Sequence, residues 1–337
     1  MPDTKLKPED WVCPKPEGLY IAPGGFYIDP VRPVDKAVIT HGHGDHARPG
    51  HRQMLATAET LAICQSRFPT DGVATQALPY RQPLQIGDVT LRLVPAGHIL
   101  GSAQVVLEHH GQRVVVSGDY KRRADPTCAP YEPVNCDVFI TEATFALPVF
   151  RHPPDGEEVG KLLDSLRRNP DHSHLVGVYA LGKCQRLIAL LRQRGYDRPI
   201  YLHGALSALC RLYEKLGVSL GPLVPVADVP PATLTGQIVM CPPSALADRW
   251  SRRMGEPITA MASGWMRVKQ RAKQRGVELP LIISDHADWD ELLQTLDDVG
   301  APDVWVTHGR EEALVHVARQ KGIRARALSI AGYEDEA

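Results

Sequence analysis

His41, His43, Asp45 and His46 fall within six consecutive positions of the stretch THGHGDHARPGH. Imidazole nitrogens and a carboxylate at that density are ligands for a borderline-to-hard cation such as zinc, manganese or iron. In a loop leaving an extended segment, His41 and His43 are alternate residues and face the same way. Asp45 and His46 then turn toward a second point nearby. A surface loop that is merely rich in histidine has no reason to hold this order. His51, further along, reads as solvated.

A metal loop alone does not complete a hydrolytic site. Further candidates stand at or just past the ends of predicted strands: Asp29 closing GGFYID, His98 after VTLRLVPAG, Asp119 after RVVVSG, Glu142 after DVFIT, His286 after LIISD and His308 after VWVT. Any one of them is an ordinary turn residue. Together, behind a metal loop, they describe one edge of a sheet, where loops on a rigid scaffold carry function.

The elements that must position them are legible in outline. Lys36–Thr40, Val89–Val94 and Asp137–Thr141 are apolar or alternating strands, and Gln104–Glu108 with Arg113–Ser117 flank HHG as a hairpin. Thr57–Arg67 and Glu157–Arg168 are helical. From about His174 the pattern changes to alternating strand and helix: strands at Leu175–Tyr179, Pro199–His203, Ile238–Cys241 and Ile258–Ala262, helices at Lys183–Arg194 and Leu206–Leu216. That alternation predicts a compact α/β unit on a parallel sheet. Gly221–Pro231 is rich in proline and is expected to be a loop. Leu281–Ser284, a helix from Trp289 and Val304–Thr307 complete the pattern.

At 337 residues, with 43% hydrophobic and 23% charged side chains, the chain can bury a large core, and two domains are the natural expectation. The opening MPDTKLKPEDW has no apolar run of the secretory kind, and no stretch reaches the ~18 apolar residues of a membrane helix. The seven cysteines are odd in number and never spaced as CxxC, which points to reduced thiols and a cytoplasmic setting. The net charge of −1 hides an asymmetry. Ser173–Leu279 holds 15 Lys+Arg against 6 Asp+Glu, a net of +9, so the remainder carries −10. A basic segment within an acidic chain is the composition of a protein that holds a polyanion with one region only.

Within that segment several residues are suited to phosphate. In YALGKCQR, Gly182 and Lys183 stand where a strand turns into a helix, and free N–H groups there, with the Lys183 charge, can bind a phosphate. Ser263, Gly264 and Trp265 form a similar turn, and Trp265 could stack on a base or simply fill a core. Arg267, Lys269, Arg271, Lys273 and Arg275 recur at every second position, joined by Arg249, Arg252 and Arg253. Lys121–Arg123 follow Asp119 and are placed to reach the active cleft. His203 ends a strand and is ambiguous; His109, His110, His152, His172, His174 and His316 are expected in turns or on helix surfaces without a role.

HGHGDH together with PAGHILGSAQ and SGDY resembles the metallo-β-lactamase fold, and ITEATF, SDHADW and VTHG resemble motifs A, B and C of its β-CASP nuclease branch. The chain further resembles the bacterial ligase-associated exonucleases, through GGFYIDP, HARPGH, SGDYKRRADPTCAP, YALGKCQR, ASGWM, SDHADW and VWVTHG, across essentially its whole length. The resemblance implies an α/β protein: a four-layer αββα sandwich, residues 1–150 and 280–337, into which an α/β β-CASP cap, residues 151–279, is inserted. It implies two divalent ions, Zn2+ or Mn2+. His41, His43 and His98 would hold one, Asp45, His46 and His308 the other, and Asp119 would bridge them. Asp29 would orient a ligand from behind, and Glu142 would hydrogen-bond His286 beside the scissile bond. His286, Glu142 and Asp45 are the expected catalytic residues.

The expected reaction is metal-assisted hydrolysis of a phosphodiester bond, with His286, oriented by Glu142, protonating the departing sugar oxygen. DNA is the expected substrate, single-stranded or attacked from an end, in repair alongside an ATP-dependent DNA ligase and helicase. RNA is the alternative: DNA-cutting eukaryotic relatives usually lack the motif C histidine, and this chain has His308. A thioester hydrolase of the glyoxalase II type shares the HxHxDH loop but explains neither the basic insert nor Glu142 and His286.

Overall fold

The computed structural model describes residues 7–329; the first six residues, part of the stretch read for a leader, and residues 330–337 lie outside it. The chain forms two compact units, Met1–Pro148 with His286–Ala337, and Val149–Asp285.

The first unit holds two sheets. One runs in chain order through Val12–Lys15, Gly18–Ile21, Phe26–Ile28, Lys36–Val38, Gln53–Ala56 and Ala74–Ala77. The other has the order Arg324–Ala327, Asp303–Gly309, Val138–Ala143, Gln112–Val116, Ala103–His109, Val89–Pro95, Leu84–Ile86. Alternation along the strands sends one set of side chains between the sheets: Leu19, Ile28, Val38 and Leu55 from the first meet Leu91, Leu93, Val105, Val114, Ile140 and Trp305 from the second. The other set faces outward under helices. Ala37, Ile39 and Met54 pack on Leu61 and Cys64 of Ala58–Arg67. Val106, Val115, Phe139 and Val304 pack on Leu292 and Leu296 of Trp289–Val299 and on Leu314 of Glu311–Gln320. The result is the expected order of layers, helix, sheet, sheet, helix. Each buried aliphatic side chain contributes about 1.5–3 kcal/mol, and truncation of the fully buried Trp305 to alanine would cost ~3–5 kcal/mol.

The HHG hairpin closes through His110 and Gly111, both at positive φ, between the paired residues His109 and Gln112. Two positive-φ residues in a two-residue loop match the twist of the flanking strands. Gln112–Val116 pairs parallel with Val138–Ala143, which pairs parallel with Asp303–Gly309. Val89–Pro95 runs the same way, two antiparallel steps over. His98 and Asp119, in the loops after two of these strands, and Glu142 and His308, in the last residues of two others, therefore stand at one end of one sheet.

The second unit is a parallel sheet of six strands in the order Leu223–Pro225, Ile200–Leu202, Ile238–Cys241, His174–Gly177, Ile258–Ala262, Leu279–Leu281. It carries the helices Asp155–Arg168, Lys183–Gln193 and Gly204–Lys215. His174–Gly177 is wholly buried, as a central parallel strand should be. Two expectations differ. Gly221–Pro231, expected to be a loop, includes the strand Leu223–Pro225, and the strand expected at Leu281–Ser284 is instead Leu279–Leu281, with Pro280 inside it. Both strands are at sheet edges, where a proline costs no ladder bond. Among the described residues no helix is long and apolar enough to cross a membrane.

Candidate metal centre

The loop after Lys36–Val38 is tied from behind by Asp29, which is buried and holds φ at +43°. Its Oδ1 accepts from the Thr40 amide at 2.8 Å; its Oδ2 accepts from the Thr40 hydroxyl at 2.6 Å and from His46 Nδ1 at 2.7 Å. Since the Thr40 hydroxyl gives its proton to Asp29, it accepts from His41 Nδ1 at 3.0 Å. Both rings are thereby fixed with a proton on Nδ1, which turns the Nε2 lone pairs of His41 and of neutral His46 forward.

Those lone pairs meet others. His43 Nδ1 is 3.1 Å from His41 Nε2 and 2.9 Å from His98 Nε2, and Asp119 Oδ2 is 3.4 Å from His41 Nε2 and 3.7 Å from His98 Nε2. A tetrahedral ion with bonds near 2.0–2.1 Å spaces its ligand atoms roughly 3.3 Å apart. His41, His43, His98 and Asp119 bracket that spacing, and their ligand atoms lie within 4.8 Å of one another. Asp45, His46 and Asp119 form a second such group, with His46 Nε2 3.4 Å from Asp119 Oδ2 and 3.6 Å from Asp45 Oδ2. Asp45 Oδ1 is buried and accepts no hydrogen bond among the described residues, an arrangement costly for a carboxylate and natural for a cation ligand. The residues fit two divalent ions that share Asp119.

Charge in the cluster favours the same reading. Burial, reinforced by the His46 imidazole, pushes His41 well below its ordinary pKa and keeps it neutral. Burial opposes ionisation of Asp119, yet the imidazoles of His46 and His286 hold it well below the usual carboxylate range. Burial also opposes a charge on His46, but Asp119 and Asp45 lift it well above the histidine range; the site attracts positive charge.

Two glycines allow the close approach. Gly97, before His98, has φ +74°, and a Cβ there would overlap the Lys121 carbonyl. Gly118, before Asp119, has φ +56° and would meet Thr40 Cβ at 2.8 Å.

His308 stands at the end of Asp303–Gly309 with φ +60°. It lines one small cavity with Asp29, His46, Asp119 and Glu142, its ring 6.2 Å from that of His46. It is not within the 4.8 Å groups. Glu142 and His286 are brought together: His286 Nδ1 is 3.0 Å and 3.1 Å from the two oxygens of Glu142. Glu142 also accepts from the Tyr120 amide at 2.9 Å and from the Thr144 hydroxyl. The His286 ring is 4.7 Å from that of His98, and Asp119, Glu142 and His286 form a third close group.

Several sequence readings change. The Gly182, Lys183 and Cys184 amides at the helix start are not free: they donate to Gln185 Oε1 at 2.8 Å, the Leu181 carbonyl at 3.2 Å and the Tyr179 carbonyl at 3.1 Å. Lys183 is buried against Asp285, Nζ to Oδ1 2.8 Å. Ser263 is buried and caps the next turn, accepting from the Trp265 amide; Gly264 is buried too. Trp265 is half-buried, with Phe150 edge-on at 5.1 Å and the Arg271 guanidinium 4.1 Å from its ring. Arg122 and Arg123 pair with Asp298 and Asp288, and so brace Trp289–Val299, and Lys121 is buried. His51 is buried, not solvated, and accepts from the Val34 amide at 3.3 Å. His174 and His109 are buried strand residues, and His152 is buried as well. His203 caps the helix Gly204–Lys215. The sequence reading missed Thr40 and Tyr120. A hydroxyl directly before the first ligand was a usable signal for Thr40; Tyr120 acts through its amide, which leaves no mark in a sequence.

A family model described as "Beta-lactamase superfamily domain" matches residues 15–178. A protein of Opitutus terrae named "Probable DNA ligase" is 29% identical over 323 residues, covering 94% of this chain and 31% of that protein. "Ribonuclease TTHA0252" of Thermus thermophilus is 25% identical, covering 95% of this chain and 90% of that one. The chain spans less than a third of the length of several curated relatives it matches. Among solved structures, a protein of unknown function from Enterococcus faecalis superposes with a TM-score of 0.60 at 14% identity, over 88% of this chain and 80% of that one, which speaks for the fold alone.

Proposed function

The chain belongs to the metallo-β-lactamase superfamily, and on that premise we propose that it is a metal-dependent nuclease of the β-CASP branch that hydrolyses phosphodiester bonds in DNA from a strand end. The observation that carries this reading is the Glu142–His286 pair beside Asp119. A thiolate leaves a thioester without help, so a thioester hydrolase has little use for an acid there. A sugar alkoxide is a poor leaving group and needs a proton.

Two divalent ions, Zn2+ or Mn2+, held by His41, His43, His98 and Asp119 and by Asp45, His46 and Asp119 with His308, would acidify a water and offset phosphoryl charge. The chain's own residues do the rest. Asp29 and Thr40 hold His41 and His46 in the ligating tautomer. Glu142 takes the Nδ1 proton of His286 in a hydrogen bond and so stabilises the imidazolium, leaving Nε2 to protonate the departing oxygen.

Uncompensated positive charge in the second unit supports a polyanion as partner. Arg249, Arg252, Arg253, Arg267, Lys269, Lys273 and Arg275 are exposed, and none of them forms an ion pair among the described residues. In the first unit several arginines are paired at home: Arg81 with Glu132, Arg92 and Arg113 with Glu108, Arg122 with Asp298. Exposed cations without ion-pair partners support a phosphate backbone as partner. The likeness to a protein named as a DNA ligase over nearly the whole chain favours DNA, and a role in preparing ends for ligation. A second reading, RNA cleavage by the same chemistry, is favoured by the Thermus ribonuclease and by His308.

End-labelled DNA and RNA single strands of one sequence, incubated with the protein and Zn2+ or Mn2+, test both. We expect stepwise release from DNA, abolished by chelation and restored by the ion. Cleavage of RNA alone would transfer the function to the second reading, and cleavage of neither would remove the nuclease assignment.

A further inference from the structure

We propose that Cys184 and Cys210 form an oxidative modification site, a dithiol that a peroxide converts reversibly into a disulfide stapling two helices of the second unit; the proposal is independent of the nuclease reading. Cys184 is the second residue of the helix Lys183–Gln193, and Cys210 lies in the later half of Gly204–Lys215. Both are free thiols, 0% and 1% exposed, and their sulfurs are in contact at 3.9 Å although the residues are 26 positions apart. A disulfide bond is roughly 2.05 Å long, so roughly 2 Å separates this contact from a covalent link. The groups of three or more metal-ligating side chains among the described residues all lie in the first unit. With no third ligand beside them, the two sulfurs make a dithiol and not a structural metal site.

The surroundings make the two thiols unequal. The Gln185 side chain accepts from the Gly182 amide at 2.8 Å and donates to the Ala180 carbonyl at 2.9 Å, which fixes its amide; it also donates to Cys210 Sγ at 3.4 Å. With the Cys210 sulfur an acceptor, the Cys184 S–H is the donor between the sulfurs. That donation, joined by Gln185, brings Cys210 below the ordinary thiol range although burial opposes it. The same donation, reinforced by burial, holds Cys184 well above that range. Cys210 is therefore the nucleophile and Cys184 the resolving thiol. The Cys210 thiolate attacks one oxygen of hydrogen peroxide, the O–O bond breaks, and the leaving hydroxide takes up the proton that Cys210 gave and becomes water. The Cys184 sulfur then attacks the sulfur of the Cys210 sulfenic acid. The S–S bond forms, the S–O bond breaks, and the departing hydroxide takes the Cys184 proton as a second water. Two thiols lose two electrons and the peroxide gains them. Burial this complete suits an oxidant little larger than water and excludes a bulky one.

The test exposes the reduced full chain to hydrogen peroxide, stops the reaction with catalase, and alkylates the remaining thiols after denaturation for peptide mapping. We expect one cross-link, Cys184 to Cys210, about 2 Da lighter than the sum of its two thiol peptides and reversed by dithiothreitol. Cys64, Cys136 and Cys241 should still be thiols at that point. The oxidised chain should melt at a higher temperature than the reduced one, because the bond closes a loop of the unfolded chain. Cys184→Ser should stop at a sulfenic acid on Cys210 that dimedone traps, whereas Cys210→Ser should leave Cys184 unoxidised. If either variant fails to fold, the map of the wild-type chain decides alone. A cross-link between another pair of thiols, a cross-link that forms only in urea, or Cys184 and Cys210 still unlinked once the partly exposed Cys13 has been oxidised would each overturn the proposal. A melting temperature lowered by the bond would overturn the staple, and dimedone found on Cys184 in place of Cys210 would overturn the assigned order.

Discussion

His286 Nδ1 faces both oxygens of Glu142, at 3.0 Å and 3.1 Å, and the side chains differ in access to solvent, 13% against 2%. The carboxylate is saturated by the Tyr120 amide, the Thr144 hydroxyl and the imidazole. With both oxygens engaged by these donors and the side chain 2% exposed, Glu142 is not placed to give a proton to a substrate. The more accessible imidazole is, and Glu142 sets its tautomer and its charge.

His286→Ala should therefore lower kcat on nucleic acid by about 10²–10⁴-fold while leaving both metal groups intact, since neither His41, His43, His98 and Asp119 nor Asp45, His46 and Asp119 includes His286. Glu142→Gln keeps the shape and should give a smaller loss of the same kind. Metal analysis after dialysis beside single-turnover rates is the check. If His286→Ala also loses an ion, His286 belongs to the ligand set through the Asp119, Glu142 and His286 group.

Asp29 reaches both metal groups from behind, touching His46 directly and His41 through Thr40. Its φ of +43° is a conformation that asparagine also tolerates. Asp29→Asn thus keeps the backbone and removes the charge. We expect metal affinity to fall about 10–100-fold, read by competition with a chromogenic chelator, with a far smaller change in the melting temperature of the metal-free protein. Unchanged affinity would reduce Asp29 to a loop anchor.

Burial pushes the Cys64 thiol up to about 11, and those of Cys136 and Cys241 up to about 12. An unfolded thiol titrates near ~8.5. The folded state therefore holds these protons more tightly, and the stability they contribute is full below ~8.5 and lost as pH rises toward 11–12. The native protein should resist iodoacetamide at these sites at pH 8 and keep its activity, because the thiolate is the nucleophile. Peptide mapping after a timed pulse is the measurement; labelling at the rate of a free thiol would contradict the burial.

Much of the metal centre was legible because its chemistry is local or periodic. His41–His46 needs only residue types at short spacing, and His98, Asp119, Glu142 and His308 each stand at or just past the end of an apolar strand whose period is visible. What failed were residues whose meaning depends on a partner far along the chain. Lys183 looked like a phosphate ligand until Asp285 met it, Arg123 looked free until Asp288 did, and His51 looked solvated with no sign that it would fold under the Val34 amide. Ion-pair partners carry no periodicity, so nothing in the sequence ranks them. The missed strands fail for another reason. Ala74–Ala77 is exposed throughout, and Leu223–Pro225 has three residues at an edge, too few for alternation to register.

The same contrast between paired and unpaired charge yields a prediction about substrate. Lys269 and Lys273 lie one turn apart on Lys269–Gln274, both exposed and neither in an ion pair among the described residues. Each phosphate contact on a single strand contributes about 0.7 to the slope of log affinity against log salt, so neutralising both lysines as glutamine should lower that slope by about 1.4. KM should rise at low salt with kcat unchanged, and stability should move by less than about 0.5 kcal/mol. Arg92 and Arg113 supply the control. They are cations of the first unit that share Glu108, so their glutamine variants should leave the slope alone. If the four variants behave alike, the basic segment is an ordinary solvated surface. If only Lys269 and Lys273 change the slope, the positive charge withheld from ion pairs in the second unit is what the nucleic acid strand binds.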